Sequence, residues 1–266
     1  MDSRPRAQLP LFPSRMNEER AVDRDVPLAA PFSGSAGRNH AVKPRSAASM
    51  VLIDSNGPEP KVLLGRRHPK LAFLPDKYVF PGGKLEADDR LMDASGALPD
   101  KCIEKLSLRR TRGFPGPQAF ALAAIRETFE ETGLLLGTRS NGFHKPAAIP
   151  PAWQSFTDHG FAPNLAPLHF IGRAITPPAF PRRYDTSFFA VDVGAVAHRV
   201  DGCVTQDTEL VELVWLSLDD AAARNISRIT AMILLDLATR ISANFSGHLP
   251  VPFFCERNRH WIREEL

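Results

Sequence analysis

Three glutamates, Glu127, Glu130 and Glu131, stand at relative positions i, i+3 and i+4 in this chain of 266 residues. On a helix that spacing puts their carboxylates on one face, within reach of a common point. Like charges so close repel one another and resist ionising unless something positive sits among them. They also fall in the C-terminal half of the predicted helix, where the macrodipole disfavours negative charge. Magnesium or manganese resolves the conflict, because hard divalent cations prefer carboxylate oxygens and keep waters and substrate phosphates in their shell. Such an ion neutralises phosphate charge, positions a leaving group and acidifies water, which is the chemistry of phosphoanhydride hydrolysis. For three glutamates taken alone, a solvated acidic face balanced by Arg126 and nearby basic residues is the other reading.

The helix that must carry them is well punctuated. QAFALAAIRETFEET follows Gly116 as a cap and Pro117 in the first turn, and it stops at Gly133, where a left-handed C-terminal residue belongs. Upstream, SMVLID and KVLLGRR, separated by the turn-forming SNGPEP, predict a hairpin of two buried strands. A third strand, KYVF, ends at Pro81, Gly82 and Gly83, and the paired glycines permit a close backbone approach. Between residues 91 and 116 the chain is loop-like, with one helix around CIEKLSLRR. A helix in PAWQSFTDHG and strands in HFIGRAIT, SFFAVDV and ELVELVWL come later. Two C-terminal helices follow, one opened by Ser217 with Asp220 three residues on, the other spanning about 228–243. Strands and helices alternate irregularly, which fits a mixed sheet covered by helices, and there is no internal repeat.

Read together, VFPGGKLEADD and AAIRETFEETGLLL resemble the signature of the Nudix hydrolase family: Gly, five residues, Glu, seven residues, then Arg-Glu-apolar-x-Glu-Glu-x-Gly-apolar. Gly83 matches the first glycine, and Arg126, Glu127, Glu130, Glu131, Gly133 and Leu134 match the second half. Three departures stand out: Asp89 replaces the first glutamate, Thr128 an apolar residue, and 36 residues rather than seven separate Asp89 from Arg126. RRHPKLAFLPDKYVFPGGKLEADD and ITPPAFPRRYDTSFFAVDV are similar to the split-box branch that includes the peroxisomal coenzyme A diphosphatases and their bacterial relatives.

The resemblance implies an α/β fold, an α/β/α sandwich with a mixed, partly curled sheet. It implies a metal-dependent hydrolase that cleaves a diphosphate in a nucleoside diphosphate derivative, with coenzyme A or acyl-coenzyme A foremost and ADP-ribose, dinucleotide polyphosphates or nucleotide sugars as alternatives. Magnesium or manganese would be held by Glu127, Glu130 and Glu131 with the Gly82 backbone carbonyl, while Arg126 would pair with a neighbouring glutamate and fix its rotamer. The general base is Glu130, with Glu209 and Glu212 as rivals. The competing class is a sensing module of the same fold that binds a nucleotide without cleaving it, and the intact glutamate set argues against it.

Substrate contacts are expected from Arg182, Arg183 and Tyr184, whose guanidinium forks suit phosphate oxygens and whose ring suits a base, although a turn salted by Asp185 reads equally well. The insertion at about 90–117 enters between the glycines and the glutamates, so both its ends are expected near the scissile diphosphate. Its Arg109, Arg110 and Arg112 either meet an anionic part of the substrate or merely end a helix.

An apolar content of 43% suffices for a full core without disulfides, and the odd, scattered Cys102, Cys203 and Cys255 suit a reducing, cytoplasmic compartment. Residues 1–45, rich in Pro, Arg, Ser and Gly, read as a disordered leader ahead of one domain at 46–266. Glu18, Glu19, Asp23 and Asp25 argue against a transit peptide, and there is no signal-peptide core. The net charge of +3 is spread along the chain, so nucleic acid is not an expected partner; nor is a membrane, since no run approaches the roughly 20 apolar residues of a span. His68, His144, His159 and His169 lack ligand spacing, and the sequence leaves the oligomeric state open.

Overall fold

A computed structural model describes residues 42–140, 148–258 and 260–266. The expected leader falls outside the described residues as far as position 41, and His144 lies outside them too. Strand β1 (Arg45–Asp54) turns through the predicted SNGPEP hairpin into β2 (Lys61–Arg67). Two short strands follow, β3 (Tyr78–Val79) and β4 (Gly82–Lys84), then the insertion with α1 (Asp100–Ser107), then α2 (Pro117–Thr132). Next come β5 (Leu134–Arg139), α3 (Gln154–Asp158), β6 (Phe161–Pro163), β7 (His169–Ile175), β8 (Tyr184–Asp192) and β9 (Val196–Arg199). The chain closes with β10 (Leu210–Ser217), α4 (Leu218–Ala222), α5 (Arg228–Ser242) and the hairpin of β11 (Pro252–Arg257) and β12 (His260–Glu265).

Among the described residues one mixed, open sheet runs in the order β10-β2-β1-β8-β7-β11-β12, with β3 beside β2 and β4 beside β1. Side chains alternate along each strand, and the alternation sorts the core into two layers. Met50 and Leu52 of β1 and Phe189 and Val191 of β8 pack with Phe120, Leu122 and Ile125 of α2. Val51, Ile53, Phe188 and Ala190, one step along, pack with Ile233, Leu234 and Leu237 of α5 on the opposite face. This is the expected α/β/α sandwich. A second sheet, β6-β5-β9, was not foreseen.

Helix α2 is buried around much of its circumference, and its alanines at 119, 121, 123 and 124 let it lie close to its neighbours. Thr128, buried where an apolar residue is usual, is tolerated because its hydroxyl donates to the Ala124 carbonyl at 2.7 Å. Gly133 ends the helix with φ 72° and its N–H on the Phe129 carbonyl, the left-handed stop expected from the sequence. Ser217 accepts from the Asp220 N–H and opens α4 as predicted.

Candidate active site

Strand β4 runs antiparallel to the start of β1, with Ser49 opposite Gly82 and Ala48 opposite Gly83, and this register lays the two glycines against α2. A Cβ on Gly83 would sit 2.5 Å from the Glu127 carboxylate, so only glycine leaves that side chain room. A Cβ on Gly82 would strike the Ala48 carbonyl and the Ser49 backbone. The Gly82 N–H donates to Glu131 Oε2 at 2.8 Å, tying strand to helix.

Arg126 is the hub. It is 2% exposed, and its Nε and Nη2 donate to the two oxygens of Asp89 at 2.8 and 3.1 Å. Its Nη1 lies 3.0 Å from Glu127 Oε1 and 3.0 Å from Glu130 Oε2, and Nη2 also reaches the Lys84 carbonyl at 3.0 Å. The pairing with neighbouring glutamates that the resemblance implied is present, and the same guanidinium pairs with Asp89 across the insertion. Asp89 is wholly buried and takes two more donors, the Glu86 N–H at 2.8 Å and the Trp153 indole N–H at 3.2 Å. Nothing in the sequence pointed to Trp153, which joins the site from 64 residues downstream.

All three glutamates hold their protons more tightly than ordinary carboxyls. Burial lifts Glu127 to about 7, with the charges of Glu130 and Asp89 adding to it against Arg126. Burial also raises Glu130, and it raises Glu131 well above the usual range, where the charges of Glu127 and Glu209 oppose the Gly82 N–H and Arg67. Desolvation works against the charge on Arg126, yet its bonds to Asp89 and the nearby glutamates outweigh that and keep it a cation. Among the described residues no three acidic, histidine or cysteine side chains are already gathered into a metal cage, since Arg126 and the Gly82 N–H each draw carboxylates aside. The donor chemistry still fits a hard divalent cation: the carboxyls of one helix face resist ionising, and added positive charge relieves them.

The rival bases separate. Glu209 pairs with Arg67 at 2.7 Å and lies near enough to Glu131 for its charge to be felt there. Glu212 is held below the usual carboxylate range by Arg66 at 2.9 Å, with Tyr78 adding a hydrogen bond. Glu130 is the most open of the hub's acids, its side chain 44% exposed against 14% for Glu127.

Arg182, Arg183 and Tyr184 are set apart from the glutamates. Tyr184 pairs with Arg45, four residues along β1 from the partner of Gly82, a separation of about 13 Å at strand spacing. Arg183 donates to the Thr176 and Val42 carbonyls, which leaves Arg182 as the exposed arginine of the pair. Asp185 does not salt a turn: it lies in β8 and receives both arms of Arg173 at 2.7 Å.

The first end of the insertion adjoins Asp89 at the hub; the second, Pro115–Pro117, lines one hollow with Asp89 and Arg90 and opens α2, ten residues or about 15 Å along the helix from Glu127. Arg110 does not face substrate, because its side chain is buried, donates to Ser187 at 2.7 Å and Asp185 at 3.3 Å, and stacks on Phe114 and Phe120. Arg109 pairs with Glu264, and Arg112 is exposed. His159 packs on Phe129 and His198, and His169 packs on Phe245. The cysteines are free, and among the described residues no helix is long and apolar enough to cross a membrane.

No family model matches the chain. Acyl-coenzyme A diphosphatase NUDT19 of Gallus gallus is 35% identical over 239 residues, covering 68% of this chain and 62% of that protein. The Homo sapiens protein of the same name is 28% identical over 177 residues, covering 48% and 47%. The chain thus spans less than two thirds of the length of either relative. A crystal structure of a Nudix hydrolase from Alicyclobacillus acidocaldarius superimposes with a TM-score of 0.55 at 27% identity, covering 78% of this chain and 96% of that one. With the glycine strand, the glutamate helix and the fold all in agreement, the chain has the Nudix hydrolase fold and is similar to the coenzyme A diphosphatases of that family.

Proposed function

We propose that this chain is a metal-dependent diphosphatase that cleaves the phosphoanhydride bond of coenzyme A or an acyl-coenzyme A. The carrying observation is the hub itself, in which one buried arginine gathers Glu127 and Glu130 on the helix face opposite Gly82 and Gly83. The substrate class is supported by the names of the Gallus gallus and Homo sapiens relatives.

Glu127, Glu130 and Glu131 would hold magnesium or manganese, with the Gly82 carbonyl as a further oxygen donor. When bound, the metal supplies charge neutralisation at the diphosphate oxygens and Lewis acidity. Glu130, the most exposed acid of the hub, takes the proton of the attacking water. That water forms a bond to one phosphorus in line, the bond from that phosphorus to the bridging oxygen breaks, and the second phosphate leaves with its own half of the substrate. Arg126 positions Glu127 and Glu130 and does not touch substrate. Arg182 and Tyr184, the latter edge-on to Phe73 at 5.3 Å, serve the more distant parts of the ligand, with Arg183 shaping the turn beside them.

Incubating the protein with coenzyme A, acyl-coenzyme A, ADP-ribose, a dinucleotide polyphosphate and a nucleotide sugar, each with magnesium or manganese, and weighing both products tests the reading. Coenzyme A should yield a 3′,5′-bisphosphorylated adenosine and a phosphopantetheine. Preferred cleavage of another member reassigns the substrate, and metal-dependent binding without products turns the reading to a sensor. Glu130→Gln and Glu131→Gln should each lower kcat by about 100-fold or more with Tm little changed, and activity within a few-fold of wild type in both would sink this helix as the metal site.

A further inference from the structure

We infer that Trp153 is a positioning residue for the glutamate cluster: its indole N–H holds Asp89, Asp89 holds Arg126, and Arg126 holds Glu127 and Glu130. The inference rests on reading that cluster as the metal site and extends it to a residue outside the motif.

Asp89 is one methylene shorter than the glutamate usual at its position, and it is 0% exposed, so water cannot complete its hydrogen bonds. Protein donors do so instead. Oδ1 accepts from Arg126 Nε at 2.8 Å and from the Trp153 indole at 3.2 Å; Oδ2 accepts from Arg126 Nη2 at 3.1 Å and from the Glu86 N–H at 2.8 Å. The indole therefore fixes the oxygen that orients the Arg126 Nε, and the plane of that guanidinium decides where Nη1 meets Glu127 and Glu130.

Trp153 is itself held. It ends a 3-10 turn, Pro151–Trp153, whose Ala152 N–H donates to the carboxylate of Asp88 at 2.9 Å, so one turn grips two successive acids. Its ring is buried edge-on to Phe156 at 5.3 Å, and Phe156 meets Phe129 of α2 at 5.4 Å, one residue before Glu130. The same indole thus reaches the glutamate helix by a polar route through Asp89 and by an apolar route through Phe156. Phenylalanine retains the second route and deletes the first, which makes the two separable.

The test compares wild type, Trp153→Phe, Asp89→Asn and the double variant by Mn2+ binding, read as free Mn2+ in electron paramagnetic resonance, and by kcat and KM. Trp153→Phe should bind Mn2+ about 10- to 100-fold more weakly, with substrate KM at saturating metal little changed, as expected when a partner behind metal-ligating carboxylates is lost. Asp89→Asn should show a comparable loss, and in that background Trp153→Phe should add less than about twofold, because both act through one contact. Mn2+ affinity in Trp153→Phe within about twofold of wild type, or losses that multiply in the double variant, would overturn the role. Should Trp153→Phe fail to fold, the indole 15N–1H signals of the wild type, assigned by elimination in Trp215→Phe and Trp261→Phe, are followed during Mg2+ addition. The Trp153 signal should shift and saturate with the metal, and a signal that Mg2+ leaves unmoved overturns the proposal. A wild type that binds no Mn2+ removes the metal reading together with this one, whereas normal wild-type binding with unaffected Trp153→Phe removes this one alone.

Discussion

Glu127, raised to about 7 chiefly by burial, gives the metal-free protein an unusual response to pH. A carboxyl whose folded pKa lies above its unfolded value binds more protons in the folded state between those two values, so stability falls as pH rises through that window. The window here runs from about 4.5 to about 7. Chelated protein should therefore lose Tm between those pH values, Glu127→Gln should flatten the decline, and saturating magnesium should reverse it by binding the folded state alone. A Tm in chelator that is level or rising across the window would contradict the crowding of these acids. The rivals for the base are separable as well: removing a general base costs about 100-fold or more, so Glu209→Gln and Glu212→Gln should each stay within about fivefold of wild-type kcat if Glu130 takes the proton. Motif spacing was enough to bring Arg126, Glu127 and Glu130 together on the page. The fourth hydrogen bond to Asp89 could not be read that way, because an indole N–H 64 residues off has neither period nor charge to announce it.

At the scale of elements, the insertion is fastened to the sheet. Arg110→Gln should lower stability by about 1–3 kcal/mol, the range for leaving buried hydrogen-bond partners unmade, while kcat and KM in the folded protein stay near wild type. Arg112→Gln, at an exposed position, should change neither. A selective rise in KM for coenzyme A in Arg110→Gln would return this residue to substrate recognition. The glycines divide in the same way: Gly83→Ala pushes on the Glu127 carboxylate and should reduce activity more than Tm, whereas Gly82→Ala meets backbone of β1 and should reduce Tm by several degrees. Helix α2 and strand β2 were readable because their punctuation is local, Gly116, Pro117 and Gly133 for the one and SNGPEP for the other. Strands β11 and β12 escaped because β12, HWIREE, is an edge strand whose charges mask its alternation, and β11 is paired to β7 through only Phe253 and Phe254. Strands β5, β6 and β9 were missed since their pairing with one another is non-local and short.

For the whole molecule, the low apolar content of residues 1–40 predicts that removing them leaves Tm and turnover nearly unchanged. The cut must spare Val42, whose carbonyl receives Arg183. A large fall in Tm on this deletion would show that the leader belongs to the fold. The open sheet has its own consequence for how the protein is made. Its two central strands, β1 and β8, run parallel from Arg45 beside Tyr184 to Ile53 beside Asp192, so nothing local can join them. Contacts that close so long a loop are slow to form, and during synthesis the N-terminal strand must wait, with one edge unpaired, until β8 has left the ribosome. A nascent chain halted between Leu134 and Tyr184 carries every residue of the glutamate motif and has no finished sheet on which its helix can settle.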